Sequence, residues 1–252
     1  MAELTSPLRK RCVACHELSH AACFEATERM LGTREVFRYW ECEHCGCVQI
    51  EAIPKDLGRH YPAGYFSFKP HHRLARSRIR SWIDPIRLRA DLGEASVLGR
   101  AANAVMKPLN YAAWCHITGL DHRARVLDVG CGAGKMIVRM RLAGFSRCLG
   151  VDPFLTQEIH YDNGAQVLRE SLIDFAARTD ERFDLIMFHH SLEHFPDPDP
   201  VLSVAVTLLD EGGWVLLRVP VAGCYAWRQY RDRWYSLDAP RHLFVPSARA
   251  ID

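Results

Sequence analysis

Residues 125–136 read RVLDVGCGAGKM, an apolar run that ends in Asp128 and Val129 and is followed by glycines at 130, 132 and 134. A strand, a glycine turn and then a helix make a ligand-binding unit, and the glycine spacing selects the ligand. A phosphate-cradling loop for triphosphates needs GxxxxGK followed by Ser or Thr. Here Gly130 to Gly134 is one residue too short, and Met136 follows Lys135. A dinucleotide fingerprint needs GxGxxG, but the third glycine comes one residue early and Lys135 stands in its place. Asp152 closes the next apolar run, CLGVDP. A carboxylate about 20 residues past the glycines is placed to accept hydrogen bonds from both hydroxyls of a ribose. Together the turn and the two acids describe a nucleoside with a short zwitterionic tail.

From Arg123 onwards, RVLDVG, RCLGVD, AQVLRE, FDLIMFHH and WVLLRVP are five strand candidates. Helical segments are expected between them near Lys135–Ala143, Phe154–Tyr161, Ile173–Arg178 and Pro200–Leu209. The alternation predicts an α/β fold, a parallel sheet with helices on both faces. Ligands of such sheets sit outside the carboxyl ends of the strands, so functional side chains are expected just after each strand.

At these residues the chain resembles the class I S-adenosylmethionine-dependent methyltransferases. FDLIMFHHSLEHFPDP followed by LLDEGGWVLLRVP is similar to their small-molecule members, including the quinone and sugar methylating groups. The resemblance covers about residues 123–220. It implies a Rossmann-like sheet of strand order 3-2-1-4-5, S-adenosylmethionine as cofactor, and a small-molecule acceptor, a sugar or nucleotide-linked sugar first among them. It further implies that Gly130, Cys131, Gly132 and Gly134 let the backbone approach the amino-acid part of the cofactor, and that Asp128 helps hold its amino group. Asp152 would hold the ribose, and Pro153 with Ser171 and Leu172 would flank the adenine. Helix capping after a strand is the alternative for both acids. The chain stops at Asp252, before the helix and antiparallel strand pair that complete the sheet in this family, so the last two strands are expected to be missing.

Methyl transfer from a sulfonium is an in-line displacement that depends on proximity and orientation. A hydroxyl, amine or acidic-carbon acceptor adds the need for a base. His189, His190, Glu193 and His194, directly after the fourth strand, are the catalytic candidates; the alternative is that the Glu-His pair braces the following helix. In some quinone methyltransferases the equivalent cluster holds a divalent metal with two carboxylates and a histidine. Here His190 stands where the first of those carboxylates would be, though His190, Glu193 and His194 could still chelate. Trp234, Tyr235, Arg241 and His242 fall in the region that lies over the substrate in this family, with loop packing as the alternative.

Six of the ten cysteines lie between residues 12 and 47, which marks a small N-terminal module. CVAC (Cys12, Cys15) and CEHC (Cys42, Cys45) form two CxxC pairs, the donor set of a tetrahedral zinc site. The spacer between the pairs is long and the first turn lacks a following glycine, so Cys23, His16, His44 or Cys47 could replace one ligand. The expected organisation is a zinc-ribbon-like module at 1–53, a linker and helical cap at 54–120, and the cofactor-binding domain at 121–252. From Lys69 to Arg89 there are seven Lys or Arg against one Asp. Ile79, Trp82, Ile83 and Ile86 recur there on one face of a helix that Pro85 would start or kink. A net charge of +2 argues against a nucleic-acid partner, though an RNA methyltransferase gripping the backbone through this basic stretch is one competing reading. A cofactor-binding scaffold without turnover is another. The N-terminus lacks the apolar core of a signal peptide and no apolar run approaches a membrane span, so a cytoplasmic location is expected.

Overall fold

A computed structural model describes residues 9–62 and 64–251. The strands are β1 (Arg9–Arg11), β2 (Leu18–Thr27), β3 (Val36–Cys42), β4 (Val48–Ile50), β5 (Arg125–Val129), β6 (Arg147–Val151), β7 (Ile159–His160), β8 (Gln166–Leu168), β9 (Phe183–His189), β10 (Leu209–Arg218) and β11 (Phe244–Val245). The helices are α1 (His72–Ala75), α2 (Arg78–Asp91), α3 (Val97–Val105), α4 (Asn110–Thr118), α5 (Lys135–Leu142), α6 (Leu172–Arg178), α7 (Pro198–Thr207), α8 (Tyr225–Tyr230) and α9 (Ala248–Ile251). Contacts divide the chain into two compact units. One comprises Gly64–His189 and Val201–Leu217; the other draws on the chain up to Ala63, on His190–Pro200 and on the chain from Arg218.

The Gly64–Leu217 unit is a six-stranded sheet of order β10-β9-β5-β6-β8-β7, flanked by helices. β5 runs parallel to β6 and β9, and β6 parallel to β8. Val126, Leu127 and Val129 on β5 are buried, as a strand covered on both faces requires. The apolar residues of α5, among them Ile137, Val138 and Met140, join the same core. In α2, Ser77 caps the first turn and Pro85 lies inside the helix rather than starting it. Ile83 is buried, whereas Ile79 and Trp82 are exposed, so the expected apolar stripe is only partly covered. The inner face is instead shared with a buried Arg87–Asp84 pair at 3.0 Å, and Arg87 also donates to Asn103 on α3.

Two expectations are corrected here. The segment Phe154–Tyr161, expected to be helical, contains β7, which pairs antiparallel with β8, so the sheet is mixed rather than wholly parallel. The reason is the Asp162-Asn163-Gly164 turn: Gly164 takes the left-handed φ of +81°, and the Tyr161 N–H donates to the Ala165 carbonyl at 2.9 Å. Asn-Gly is a strong hairpin signal, and here it outweighs the helical pattern.

The other unit is an antiparallel sheet of order β1-β2-β3-β4-β11. Its last strand comes from the far end of the chain: Phe244 and Val245 pair with Gln49 and Val48. Tyr39, Val48, Trp227, Leu237 and Val245 form its core. Glu28 and Arg241 are both fully buried and paired at 3.3 Å, and Arg241 also binds Asp238. Burial raises the Glu28 pKa, but the amides of Leu31 and Thr33, the Thr33 hydroxyl and Arg241 outweigh it and hold the carboxyl down to about 2.

Candidate functional site

In the Gly64–Leu217 unit, the turn after β5 holds Gly130, Gly132 and Gly134 at φ of +68°, +56° and +71°. A side chain at Gly132 would put its Cβ 2.4 Å from the Ser67 carbonyl oxygen, and at Gly134 2.6 Å from the Val167 side chain. Both positions therefore need glycine for space as well as for dihedral angle. Asp152, at the end of β6, accepts from Gly132 N at 2.7 Å and from Phe154 N at 2.9 Å. Asp128 on β5 is buried, and its Oδ1 has no hydrogen-bond partner. Burial, and then the nearby Asp152, push its pKa up to about 8. A buried carboxyl with an open oxygen beside a second acid is a site for a cationic group. Cys131 is a half-buried thiol whose pKa burial raises.

Pro153 is exposed in the turn after β6. Ser171 caps α6, accepting from Asp174 N at 3.1 Å, and Leu172 is buried as the first residue of that helix. These residues follow β6, which neighbours β5, and β8, which lies on the far side of β6, so the topology gathers them at the carboxyl edge of the sheet. His189 ends β9, with its ring 6.0 Å from that of Trp114.

His190, Glu193 and His194 belong to the other unit, together with His242. His190 adopts φ +58°, and its Nδ1 lies 3.6 Å from Glu193 Oε1. Glu193 is fully buried, and neither of its oxygens has a hydrogen-bond partner. Nε2 of His242 is 3.8 Å from the same Oε1. Burial raises the Glu193 pKa, but the imidazoles of His190, His242 and His194 outweigh it and hold the carboxyl below its ordinary value. His242 is pushed down to about 4, chiefly by burial, and so is neutral at pH 7. Of the later aromatic and basic residues, Tyr235 is exposed, whereas Arg241 is buried in its ion pairs with Glu28 and Asp238.

Cys12, Cys15, Cys42 and Cys45 converge, with their sulfurs within 4.8 Å of one another. Cys12 Sγ lies 3.6 Å from Cys45 Sγ, and Cys15 Sγ 3.7 Å from Cys42 Sγ. Bonds of about 2.3 Å in a tetrahedral zinc site put sulfurs about 3.8 Å apart, so the residues fit that metal. The CxxC turns match each other: His16 N donates to Cys12 O and Gly46 N to Cys42 O, with His16 at φ +60° and Gly46 at +75°. His16 thus takes the left-handed position that glycine fills in the second turn. His16, Cys23, His44 and Cys47 are not members of the cluster. The neighbouring Cys47 thiol, whose own hydrogen bond goes to the Val48 carbonyl at 3.8 Å, lowers Cys12 to about 4 and Cys45 to about 6, and Gln49 donates to Cys12 Sγ at 3.1 Å.

Residues 97–252 match the family described as a methyltransferase domain. The chain belongs to that family. Among curated relatives of this methyltransferase domain, the ubiquinone biosynthesis O-methyltransferase of Thiobacillus denitrificans is 34% identical over 125 residues, 45% of this chain and 53% of the relative. That of Klebsiella pneumoniae is 30% identical over 109 residues, 41% and 45% of the two chains. The chain therefore spans about half the length of the curated relatives it matches. A solved structure of coclaurine N-methyltransferase bound to N-methylheliamine and SAH is 16% identical, with a TM-score of 0.40 over 77% of this chain and 66% of that one.

Beside the glycine turn of the methyltransferase domain stand residues that the sequence did not single out. Ser67 O accepts from Ala133 N at 2.7 Å, and Tyr161 Oη donates to Ala133 O at 2.5 Å. His71 N donates in turn to Tyr161 Oη at 3.1 Å. The aromatic stretch YFSF at 65–68 hinted at packing, but nothing in its composition points to the turn 65 residues away.

Proposed function

We propose that this chain transfers a methyl group from S-adenosylmethionine to an oxygen of a small-molecule acceptor. The observation that carries the reading is the buried, open carboxyl of Asp128 beside a glycine turn anchored by Asp152. The cofactor supplies an electrophilic methyl group on a positively charged sulfur. Asp128 would hold its ammonium group, Asp152 its ribose hydroxyls, and the amides and open space of Gly130, Cys131, Gly132 and Gly134 its amino-acid portion. Pro153, Ser171 and Leu172 would border the adenine. Reaction then depends on orientation and on a base that takes the acceptor proton. His189, His190, Glu193 and His194 are the residues from which we draw that base.

The curated relatives are named for ubiquinone biosynthesis, which supports a hydroxyl on a quinone-type ring over the sugar hydroxyl expected first from the sequence. A ring hydroxyl is also the more acidic of the two and demands less of the base. The cysteine cluster is read as a structural zinc site, since its sulfur spacing suits the ion and a small sheet gains folding energy from it.

Titration calorimetry with S-adenosylmethionine and S-adenosylhomocysteine tests the cofactor. A labelled-methyl assay then compares a catechol bearing a short prenyl tail with a panel of nucleotide sugars. Saturable cofactor binding with transfer to the catechol alone is the expected result. Transfer to a nucleotide sugar alone would restore the sugar reading, and no cofactor binding by a folded sample would end both.

A further inference from the structure

The apex of the glycine turn is held from outside. Within the turn the Gly134 N–H donates to the Cys131 carbonyl at 3.0 Å, but the bonds at Gly132 and Ala133 come from distant parts of the chain. Asp152 accepts from the Gly132 amide, Ser67 O accepts from the Ala133 amide, and Tyr161 donates to the Ala133 carbonyl. Three glycines in left-handed backbone have little stiffness of their own, since glycine has the most conformational freedom to lose. The outside partners therefore decide how ordered the turn is before a ligand arrives.

Tyr161 holds two elements at once. Its hydroxyl donates to Ala133 O at 2.5 Å and accepts from His71 N at 3.1 Å. His71 belongs to a strap, residues 65–75, that meets the turn at Ser67 and is anchored in the core by Phe68 and Leu74. The His72 ring of the same strap lies 5.1 Å from the Tyr161 ring. An Arg76–Asp162 pair at 2.5 Å follows, but both side chains are exposed and the pair adds little. Burial raises the Tyr161 pKa above its ordinary value, so the phenol keeps the proton it donates at neutral pH. The β7–β8 hairpin brings this side chain to the turn, because Tyr161 directly follows β7 and Val167 on β8 lies beside Gly134.

We infer that Tyr161 is a positioning residue for the methyl donor, its hydroxyl locking the strap of residues 65–75 onto the glycine turn so that the turn is ordered before the cofactor binds. The inference rests on the methyl-donor reading of that turn. A ligand that meets a preorganised loop binds more tightly than one that must order the loop on arrival. Tyr161 acts through the Ala133 peptide and the strap, not on the reacting atoms.

Tyr161→Phe keeps the buried ring and its contact with His72 but removes the oxygen and both of its hydrogen bonds. On the full, cofactor-free chain, amide hydrogen exchange at Ala133 and His71 is expected to quicken at least about fivefold, with Val126 and Ile186 in the sheet unchanged. Calorimetry is expected to show S-adenosylmethionine and S-adenosylhomocysteine bound at least about fivefold more weakly, two neutral hydrogen bonds setting a ceiling of about 150-fold. A purely structural role would lower the urea midpoint and leave both affinities alone.

Wild type gives a second reading that needs no variant. Coupling is reciprocal, so bound S-adenosylhomocysteine should slow exchange at His71 as well as at Ala133. A folded Tyr161→Phe chain with affinities within about twofold of wild type overturns the inference, as does a His71 amide whose exchange the ligand leaves unchanged. A wild type that binds neither compound ends the methyl-donor reading and this inference with it, an outcome distinct from a wild type and a variant that bind equally well.

Discussion

The Asp152 carboxylate accepts the Gly132 amide at 2.7 Å, so the acid that closes β6 fixes the turn that leaves β5. Removing it would both loosen the turn and delete an acceptor for the cofactor. Hydrogen bonds to charged groups contribute about 1.5–3 kcal/mol, so Asp152→Ala is expected to weaken S-adenosylmethionine binding about 10- to 150-fold. Calorimetry measures it; an affinity within about threefold of wild type would remove Asp152 from the site (about 0.6 kcal/mol by the usual conversion).

Gly132→Ala should destabilise the sheet unit severely. The left-handed φ costs about 1–2 kcal/mol for a residue with a Cβ, and the approach of that atom to Ser67 O adds an overpacking cost of about 1–3 kcal/mol. Gly212→Ala is the control, because Gly212 has φ +73° with nothing within 4 Å of its Cβ position. Urea unfolding should show a clearly larger midpoint shift for the first substitution than for the second. Equal shifts would mean that the Ser67 contact carries no weight.

Asp128 should make cofactor binding release protons. Its pKa of about 8 in the free protein, raised from 3.8, leaves it mostly protonated at pH 7, and a cation bound against it favours the ionised form. Affinity is therefore expected to rise with pH from about 6 to about 9, and calorimetry in buffers of differing ionisation enthalpy should report close to one proton released near pH 7. The sign for stability is the reverse. A raised carboxyl pKa supplies stability that is complete below about 4 and is lost as pH rises through about 8. Asp128→Asn should abolish both dependences, and proton release that survives it would place the titrating group elsewhere.

Cys42→Ser should cost the cysteine-bearing unit its metal and most of its independent stability, since structural zinc contributes folding energy directly. Expected observations are about one equivalent of zinc in the wild type, its loss in the variant, and increased proteolysis between β2 and β4. A variant lacking zinc but equally protease-resistant would show that the sheet and the Glu28–Arg241 pair suffice without the ion.

The local parts of this structure were legible because their signals are local. Gly130 to Gly134 and Asp152 lie in one strand-turn-helix-strand unit, and their spacing set the cradle. The CxxC pairs likewise named the four sulfurs that converge, although His16 in a left-handed turn could not have been foreseen, since only a few per cent of non-glycine residues take that conformation. Phe154–Tyr161 was misread because the apolar residues fit either period, and the deciding Asn163-Gly164 lay just past the segment. The long-range partners had no signal at all. That Ser67 meets Ala133, or that His242 faces Glu193, follows from tertiary packing and from no spacing in the sequence.

The closure of β4 by β11 sets a schedule for synthesis. The cysteine turns and the first four strands leave the ribosome early, but Val48 and Gln49 wait for Phe244 and Val245. Glu28 waits still more conspicuously, since the arginine that neutralises it lies 213 residues downstream. At about 5–20 residues per second the interval is about 10–40 s, during which the β4 edge of the early sheet stands unpaired and its carboxylate cannot yet be buried. A chaperone or early metal capture during that interval would therefore raise the yield of active protein more than any addition made after the chain is released.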